Sequence, residues 1–369
     1  MHIPFIDFAP SHAPLKQEAM RLFSEFYDEN VFVLGQRVAD FEQAFAQYTG
    51  AAHCVGVGNG LDALTIALKV LGVGRGHEVI LPSNAYIAAL LAVSAVGARP
   101  VLVEPFSDTF NIDYQRIEEK ITPQTRAIIP VHLFGQSAAM QPLTDIATLH
   151  QLWVIEDNAQ AHGATWAERR TGSWGHLNAT SFYPTKNLGA FGDAGALTTG
   201  SAQWAEQARL YRNYGSRERF VNEVQGLNSR LDSLQAAFLS LKIKHLDHWT
   251  QLRQQAAAQY AEQLAGLPEL QLPVCAPQAT HVFHLYVVRH PRRDELQHFL
   301  QQKGIQTAIH YPTPPHLQAA YKDLGFGKGA FPIAEQMAAT SLSLPMFAGI
   351  TPEQIAYVCD MIRRFSQDN

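Results

Sequence analysis

The sequence predicts an α/β protein whose central sheet is mostly parallel. Between residues 54 and 198, short apolar runs typical of buried strands alternate with helical patterns. Beyond that region the alternation gives way to long helices and a mixed pattern, which indicates a smaller α+β part. The chain has 369 residues, enough for two cores, since single cores stop growing beyond roughly 250 to 300 residues.

Seven apolar runs carry the prediction of the sheet. Each is short, and most are followed by a helical segment, which favours right-handed crossovers between parallel strands. The run at 152–155 is continuously apolar, as expected for a strand buried on both faces. The predicted strands are 54–57, 79–81, 100–103, 127–131, 152–155, 179–183 and 194–198.

The C-terminal part is predicted from its helices. Helical patterns occupy 231–263, 294–302 and 351–365, with a strand-like run at 282–288. We therefore expect a large α/β domain with an N-terminal arm over residues 1–245, and a smaller α+β domain over residues 246–369. The sequence contains no internal repeat or low-complexity tract, so the two domains should pack as one unit.

Lys186 is the residue that most strongly indicates a function. It lies among apolar and glycine residues in the segment 181–195, without a like-charged neighbour. Such a setting favours an amine held in a pocket for covalent chemistry, for example an imine with an aldehyde. The alternative is an ordinary loop lysine.

Asp157 follows the buried run 152–155, at the end of the strand where open α/β sheets bind ligands. A carboxylate there can keep a pyridine nitrogen protonated. Pyridoxal phosphate requires both groups, a lysine for its aldehyde and an acid for its ring nitrogen. The alternative for Asp157 is a helix cap.

A phosphate site is predicted where the strand 54–57 turns through glycines into a helix beginning near Leu61. Backbone amides at a helix N-terminus bind phosphate. Residues 58–63 also satisfy a permissive dinucleotide-binding pattern. That reading requires an acidic residue at the end of the next strand, but the strand 79–81 ends in Pro82-Ser83-Asn84. We therefore disfavour a nicotinamide oxidoreductase.

Tyr86 follows the same strand, which places its ring over the predicted crevice. It can stack on a flat coenzyme. A tyrosine at a helix start is more often a packing residue, and only its position beside the other groups favours a coenzyme contact.

Composition excludes several other classes. Lys plus Arg total 28 against 33 Asp plus Glu, a net charge of −5, so there is no basic field for nucleic acid or membrane. The three cysteines lack a paired spacing, and the sixteen histidines lack a familiar ligand set, so neither a disulfide framework nor a metal site is expected. No secretory signal or membrane-length apolar run is visible, and we expect a cytoplasmic protein.

Longer motifs at 32–42, 131–136, 156–163 and 181–195 resemble those of a known family. Most of the chain is similar to the fold-type-I, pyridoxal-phosphate-dependent sugar aminotransferases grouped as the DegT/DnrJ/EryC1/StrS family. The resemblance implies an aspartate aminotransferase-like fold, with a mostly parallel sheet flanked by helices and a smaller C-terminal α+β domain. Members with histidine at the lysine position perform dehydration, so Lys186 favours transamination.

The resemblance also implies site residues for pyridoxal 5′-phosphate, with pyridoxamine phosphate as the intermediate. Lys186 would form the imine, Asp157 would pair with the pyridine nitrogen, and Gln160 would contact the ring hydroxyl. Tyr86 would stack on the ring. The implied phosphate ligands are Asn59, Gly60 and Ser181.

A closer resemblance, over 212–220 and 226–238, is to the subgroup that aminates carbon 3 of dTDP-3-keto-6-deoxyhexoses. In that subgroup Asn228 is expected to reach the phosphate of the partner subunit, which implies a catalytic homodimer. The alternative is that Asn228 caps a helix beginning near Leu231. The loop at 307–316 resembles the family's substrate side, where His310, Tyr311 and Tyr183 would approach the sugar.

The predicted function is transfer of an amino group from L-glutamate to carbon 3 of a dTDP-3-keto-6-deoxyhexose. The product would be a dTDP-3-amino-3,6-dideoxyhexose for surface glycans such as lipopolysaccharide O-antigen, or for antibiotic sugars. Two alternatives remain: amination at carbon 4 of a nucleotide-linked 4-keto-6-deoxyhexose, and a non-catalytic regulatory protein that binds the coenzyme.

Overall fold

The computed structural model describes residues 1–367. Its strands are short, and in chain order they are β1 (His53–Val57), β2 (Glu78–Pro82), β3 (Arg99–Val103), β4 (Thr125–Ile128), β5 (Trp153–Asp157), β6 (Thr165–Trp166), β7 (Arg169–Arg170), β8 (Leu177–Ser181), β9 (Gly195–Thr199), β10 (Ser216–Glu218), β11 (Val221–Asn222), β12 (Tyr286–Arg289) and β13 (Ser341–Leu344).

Seven of these strands form the central sheet, in the order β1-β9-β8-β5-β4-β2-β3. Neighbours from β8 to β3 pair in parallel, whereas β9 is antiparallel to both β1 and β8. All seven predicted runs overlap strands of this sheet, so the prediction of a mostly parallel α/β sheet is confirmed.

The helices are α1 (Ala9–His12), α2 (Lys16–Glu29), α3 (Gln36–Thr49), α4 (Gly60–Val70), α5 (Ile87–Ala95), α6 (Met140–Leu149), α7 (Ala202–Arg212), α8 (Ser233–Lys242), α9 (Leu246–Leu264), α10 (Arg293–Gln302), α11 (Pro332–Thr340) and α12 (Pro352–Gln367). None of these helices is both long enough and apolar enough to cross a membrane.

Helices cover both faces of the sheet because alternate side chains of a strand point in opposite directions. In β2, Val79 and Leu81 pack in one hydrophobic cluster with α4 and α5. Ile80, between them, packs in a second cluster with α6. The sheet is therefore the middle layer of three, as its continuously apolar strands predict.

The helical pattern at 231–263 forms two helices rather than one. A 3₁₀ turn at Ile243–His245 separates α8 from α9, which begins at Leu246. The strand predicted at 282–288 is confined to β12, which pairs antiparallel with β13. Apolar periodicity alone did not reveal either change, because apolar residues recur on both sides of the helix break and over the whole run 282–288.

A separate hydrophobic cluster surrounds β12 and β13 and includes residues of α9, α10 and α12. Ile3 is fully buried in it, and its backbone N–H donates to the carbonyl of Gly304 at 2.9 Å. The first residues of the chain thus pack on C-terminal elements. Division of the chain between residues 245 and 246 stays a prediction, and residues 368–369 of the predicted C-terminal domain lie outside the described residues.

Candidate active site

The predicted site residues meet at the carboxyl edge of the parallel strands. Asp157 and Ser181 are the last residues of β5 and β8. Asn59 and Tyr86 are the N-cap residues of α4 and α5, the helices that follow β1 and β2. Because parallel strands end at one edge, residues far apart in sequence become neighbours there.

Lys186 lies in a closed loop between β8 and β9. The backbone N–H of Ala190 donates to the carbonyl of Phe182 at 2.8 Å, and that of Lys186 donates to the carbonyl of Tyr183 at 2.8 Å. Burial lowers the pKa of Lys186 from 10.5 to about 8, although the negative charge of Asp157 opposes this change. The amine is therefore much closer to its nucleophilic form at neutral pH than that of an exposed lysine.

His162 holds the two ends of this loop together. Its ring is 1% exposed and stacks on Phe182 with ring centroids 5.6 Å apart. The Leu188 N–H donates to Nδ1 at 3.4 Å, so the proton lies on Nε2, which donates to the Ser181 carbonyl at 3.1 Å. Burial, reinforced by Lys186, lowers the pKa of His162 to about 3, so the ring stays neutral beside the amine. No sequence pattern indicated a role for His162, although it lies two residues after Gln160.

Asp157 is buried and has no cationic side chain within ion-pair distance among the described residues. Its Oδ1 accepts from the Ala159 N–H at 3.1 Å. Burial raises the pKa of Asp157, while that backbone hydrogen bond and the charges of Lys186 and His132 lower it. A cation placed against this carboxylate would favour its ionised form, as a protonated pyridine nitrogen does.

Glu156, directly before Asp157, anchors the end of β5. It is 0% exposed, and its carboxylate accepts four hydrogen bonds. Oε1 accepts from the N–H groups of Trp174 at 2.5 Å and Gly175 at 2.9 Å. Oε2 accepts from the Gly172 N–H at 2.9 Å and from His132 Nε2 at 2.8 Å. The motif at 156–163 contained Glu156, but no signal in the sequence showed which groups would surround it.

The predicted phosphate ligands lie close together at the N-terminus of α4. A Cβ on Gly60 would lie 2.7 Å from the Cβ of Ser181, so only glycine allows this approach. The Asn59 side chain accepts from the Asp62 N–H at 2.8 Å and donates to the Asp62 carboxylate at 3.0 Å. Its amide group therefore caps the helix, which leaves backbone N–H groups and the Ser181 hydroxyl as the groups available to a phosphate.

Gln160 links the coenzyme side of the site to the predicted substrate loop. Its Oε1 accepts from the Phe134 N–H at 2.6 Å, which directs Nε2 to the Tyr311 hydroxyl at 3.1 Å. The ring of Tyr86, 52% exposed, lies 5.0 Å from the ring of Tyr311. The structure thus brings together three residues that are separated by up to 225 positions.

His310 and Tyr183 are the other two residues predicted to approach the substrate. His310 Nδ1 hydrogen-bonds to the Ser343 hydroxyl at 2.8 Å, and its ring stacks on Phe5 with centroids 5.8 Å apart. Burial lowers the pKa of His310 to about 4, with a further contribution from Lys186. The Tyr183 side chain is 53% exposed. A neutral imidazole and two phenols are suited to hydrogen bonds with sugar hydroxyls.

Asn228 is the remaining predicted coenzyme ligand. It is exposed, and its side chain has no hydrogen bond to the described residues. The helix that it was expected to cap begins at Ser233 with Asp232 as the N-cap, so capping does not explain Asn228.

These groups fit pyridoxal phosphate. They supply an amine of lowered pKa, a buried carboxylate without a cationic partner, and a helix N-terminus where glycine permits close approach. Within residues 1–367 there is no group of three His, Cys, Asp or Glu side chains arranged to hold a metal ion.

The known proteins to which this chain is similar include transaminases of dTDP-linked amino sugars. The model of the DegT/DnrJ/EryC1/StrS aminotransferase family matches residues 14–363. A dTDP-3-amino-3,4,6-trideoxy-alpha-D-glucose transaminase of Streptomyces venezuelae is 46% identical, covering 99% of this chain and 96% of its own. A dTDP-3-amino-3,6-dideoxy-alpha-D-galactopyranose transaminase of Aneurinibacillus thermoaerophilus is 46% identical, covering 98% and 99%. The crystal structure of S. venezuelae DesV in complex with a ketimine intermediate superposes with a TM-score of 0.97 at 46% identity, covering 99% of each chain.

Proposed function

The chain belongs to the DegT/DnrJ/EryC1/StrS aminotransferase family, and from this premise we propose that it transfers the amino group of L-glutamate to carbon 3 of a dTDP-3-keto-6-deoxyhexose. Its coenzyme is pyridoxal 5′-phosphate. The observation that carries the proposal is that a buried amine, Lys186, and a buried carboxylate, Asp157, lie near enough to influence each other's pKa, in a chain whose similar relatives include transaminases of dTDP-3-amino sugars.

The coenzyme would supply an aldehyde that bonds to amines and a cationic ring that withdraws electrons. Nζ of Lys186 would bind the aldehyde, and the Asp157 carboxylate would keep the proton on the ring nitrogen. Tyr86 would cover one ring face, and Gln160 Nε2 would donate to the ring hydroxyl, since its Oε1 is occupied by the Phe134 N–H. The N-terminus of α4, with Asn59 and Gly60, and the Ser181 hydroxyl would receive the phosphate.

Lys186 would also move a proton when its amine is free. With a pKa of about 8, Nζ can both accept and return a proton near neutral pH, as a general base and acid must. On the substrate side, Tyr183, His310 and Tyr311 would hydrogen-bond to the sugar. The neutral His310 can accept or donate at Nε2, because Nδ1 is held by the Ser343 hydroxyl.

The proposed reaction is tested by following the visible absorbance of protein loaded with pyridoxal phosphate. Glutamate should bleach the yellow band, and a dTDP-3-keto-6-deoxyhexose should restore it. Lys186→Ala should abolish turnover and borohydride trapping of the coenzyme, whereas Lys244→Ala, at an exposed lysine, should retain both. Turnover by Lys186→Ala would contradict the mechanism.

The same assay separates the proposed acceptor from its rivals. Gluco and galacto forms of the 3-keto sugar and a 4-keto-6-deoxyhexose are offered in parallel. Recovery of the band with only the 4-keto sugar would move the amination to carbon 4. Absence of bleaching by any amino donor would favour a protein that binds the coenzyme without turnover.

We further propose that the active unit is a homodimer in which Asn228 contacts the phosphate of the partner subunit's site. Support comes from its exposed side chain, which has no partner among the described residues of its own chain. Lys186→Ala and Asn228→Asp should each be inactive, the latter because its charge would repel the phosphate. Unfolding and refolding the two variants together should recover about a quarter of wild-type activity, since half of the dimers are mixed and each has one complete site. No recovery would refute a shared site.

A further inference from the structure

Two buried cations near the lysine loop lack a negatively charged partner. Lys242 is 2% exposed and Arg253 is 8% exposed, yet neither lies within 4.0 Å of a carboxylate among the described residues. Buried charges are normally paired, because removal from water costs several kcal/mol per ion. These two side chains therefore require an explanation that the coenzyme site does not give.

Lys242 ends α8 and points to the loop that contains Lys186. Its Nζ donates to the carbonyl of Gly189 at 2.7 Å and lies 3.8 Å from the ring centroid of Phe191. A lysine ammonium has three donors, and this hydrogen bond uses one of them. Burial lowers the pKa of Lys242 to about 8, which reflects the absence of a compensating charge.

Arg253, on the next helix, has a similar environment. Its Nη1 donates to the carbonyls of Phe283 and Met346, both at 3.1 Å. Carbonyl groups contribute dipoles but no net charge, and burial lowers the pKa of Arg253 to about 10. The guanidinium has five N–H donors, but all of its hydrogen bonds to the described residues come from Nη1, including a longer one of 3.5 Å to the His284 carbonyl.

Both cations line one small cavity of about 30 Å³ beneath the lysine loop. Residues 184–187 and Gly189 form one wall, and the N-terminal segment that includes Asp7 and His12 forms another. Asp7 is the single carboxylate of this lining, and its Oδ1 accepts from the Ala9 N–H at 2.8 Å. The volume is sufficient for one water molecule or one ion of similar size.

We propose that this cavity binds a small monovalent anion, either a halide or a carboxylate group, between Lys242 and Arg253. An anion there would neutralise charge that the fold leaves uncompensated and would use the remaining N–H donors of both side chains. It would also connect α8 and α9 to the loop that contains Lys186. The inference stands independently of which keto sugar the enzyme aminates.

Bromide provides a direct test in the coenzyme-loaded protein. Crystals soaked in sodium bromide should show an anomalous peak within hydrogen-bond distance of Lys242 Nζ and Arg253. In solution, bromide should raise the thermal unfolding midpoint above that in methanesulfonate, an anion that is neither a halide nor a carboxylate, at equal ionic strength. A crystal with no peak in this cavity would overturn the proposal.

Lys242→Met removes the charge while nearly conserving volume, and Lys244→Met is the matched control at an exposed lysine. The first should weaken bromide binding roughly tenfold or more, because a charge-assisted hydrogen bond contributes at least that factor. The control should bind as the wild type does. If Lys242→Met binds bromide as tightly as the wild type, the proposal is contradicted. If Lys242→Met does not fold, Lys242→Gln takes its place in the same measurement.

The two classes of anion are distinguished by adding formate, the smallest carboxylate, to protein that holds bromide. If formate displaces bromide from the cavity, the site accepts a carboxylate group. If bromide remains, the site holds a halide. Both results support an anion site, whereas absence of the bromide peak would overturn the proposal.

Discussion

Glu156→Gln should strongly destabilise the protein, although it only replaces one carboxylate oxygen by an NH₂ group. The glutamate carboxylate is surrounded by four donors, two at each oxygen: Trp174 and Gly175 at one, Gly172 and His132 at the other. A glutamine amide has one oxygen and one NH₂ group. In either orientation its NH₂ therefore faces two donors.

His132 cannot relieve this conflict by moving its proton. Its Nδ1 accepts from the Ala138 N–H at 3.0 Å, so a proton on Nδ1 would create a second donor–donor contact. Hydrogen bonds to a charged acceptor contribute about 1.5–3 kcal/mol each, and two are lost, so the gross loss is about 3–6 kcal/mol. Removing the desolvation cost of the buried charge offsets part of that loss, and we expect about 3 kcal/mol.

The measurement is urea unfolding of coenzyme-loaded protein at fixed concentration, followed by tryptophan fluorescence and circular dichroism. Glu262→Gln, at an exposed position, is the matched control and should unfold within about 0.5 kcal/mol of the wild type. A loss of less than about 1 kcal/mol in Glu156→Gln would show that the four donors do not depend on the carboxylate.

Four further tests concern the lysine loop and the phosphate site. Gly60→Ala should weaken coenzyme binding roughly tenfold, because the new Cβ would lie 2.7 Å from the Cβ of Ser181 and force the two backbones apart. Equilibrium dialysis measures the coenzyme affinity. The control is Gly327→Ala, where nothing lies within 4 Å of the new Cβ, and it should bind the coenzyme as the wild type does. The rate at which the coenzyme-free protein captures the coenzyme should increase as pH rises through about 8, since only the neutral Lys186 amine attacks an aldehyde. Stopped-flow measurements give this rate. A rate that increases only near pH 10.5 would be inconsistent with the lowered pKa of Lys186. The same lowered pKa should make the free energy of unfolding of the coenzyme-free protein increase between pH 8 and 10.5, where the unfolded lysine is protonated and the folded one is not. His162→Phe should keep the stacking on Phe182 but lose both hydrogen bonds to the loop, so we expect the pH dependence of coenzyme capture to change. An unchanged pH dependence would show that the loop does not need these hydrogen bonds.

The chemistry proposed for the site could be predicted from the sequence because that chemistry depends on residue type. An imine requires an amine, and a protonated ring nitrogen requires an acid, so Lys186 and Asp157 could be recognised before any coordinates. The strand before Asp157 and the glycines before α4 also showed at which edge of the sheet they would meet. Their distances and environments could not be derived in this way.

Residues that act by holding others were harder to recognise. His162 and Glu156 both lie in the motif at 156–163. The hydrogen-bond partners of His162 are Ser181 and Leu188, whereas Glu156 accepts hydrogen bonds from the turn at 172–175. Hydrogen bonds between such distant positions depend on how the chain returns to the sheet. A sequence pattern shows which residues can donate or accept hydrogen bonds, but not which donor pairs with which acceptor.

By itself, then, the sequence determined the α/β class and the chain order of the central strands, and it predicted the reactive pair, because periodicity and residue chemistry are local properties. The tertiary structure decided the break between α8 and α9, the exposure of Asn228, and the burial of Lys242 and Arg253 beside one cavity. It also decided the pKa of Lys186. Burial and the field of neighbouring charges arise only when distant segments pack together, and they set how strongly each ionisable group holds its proton.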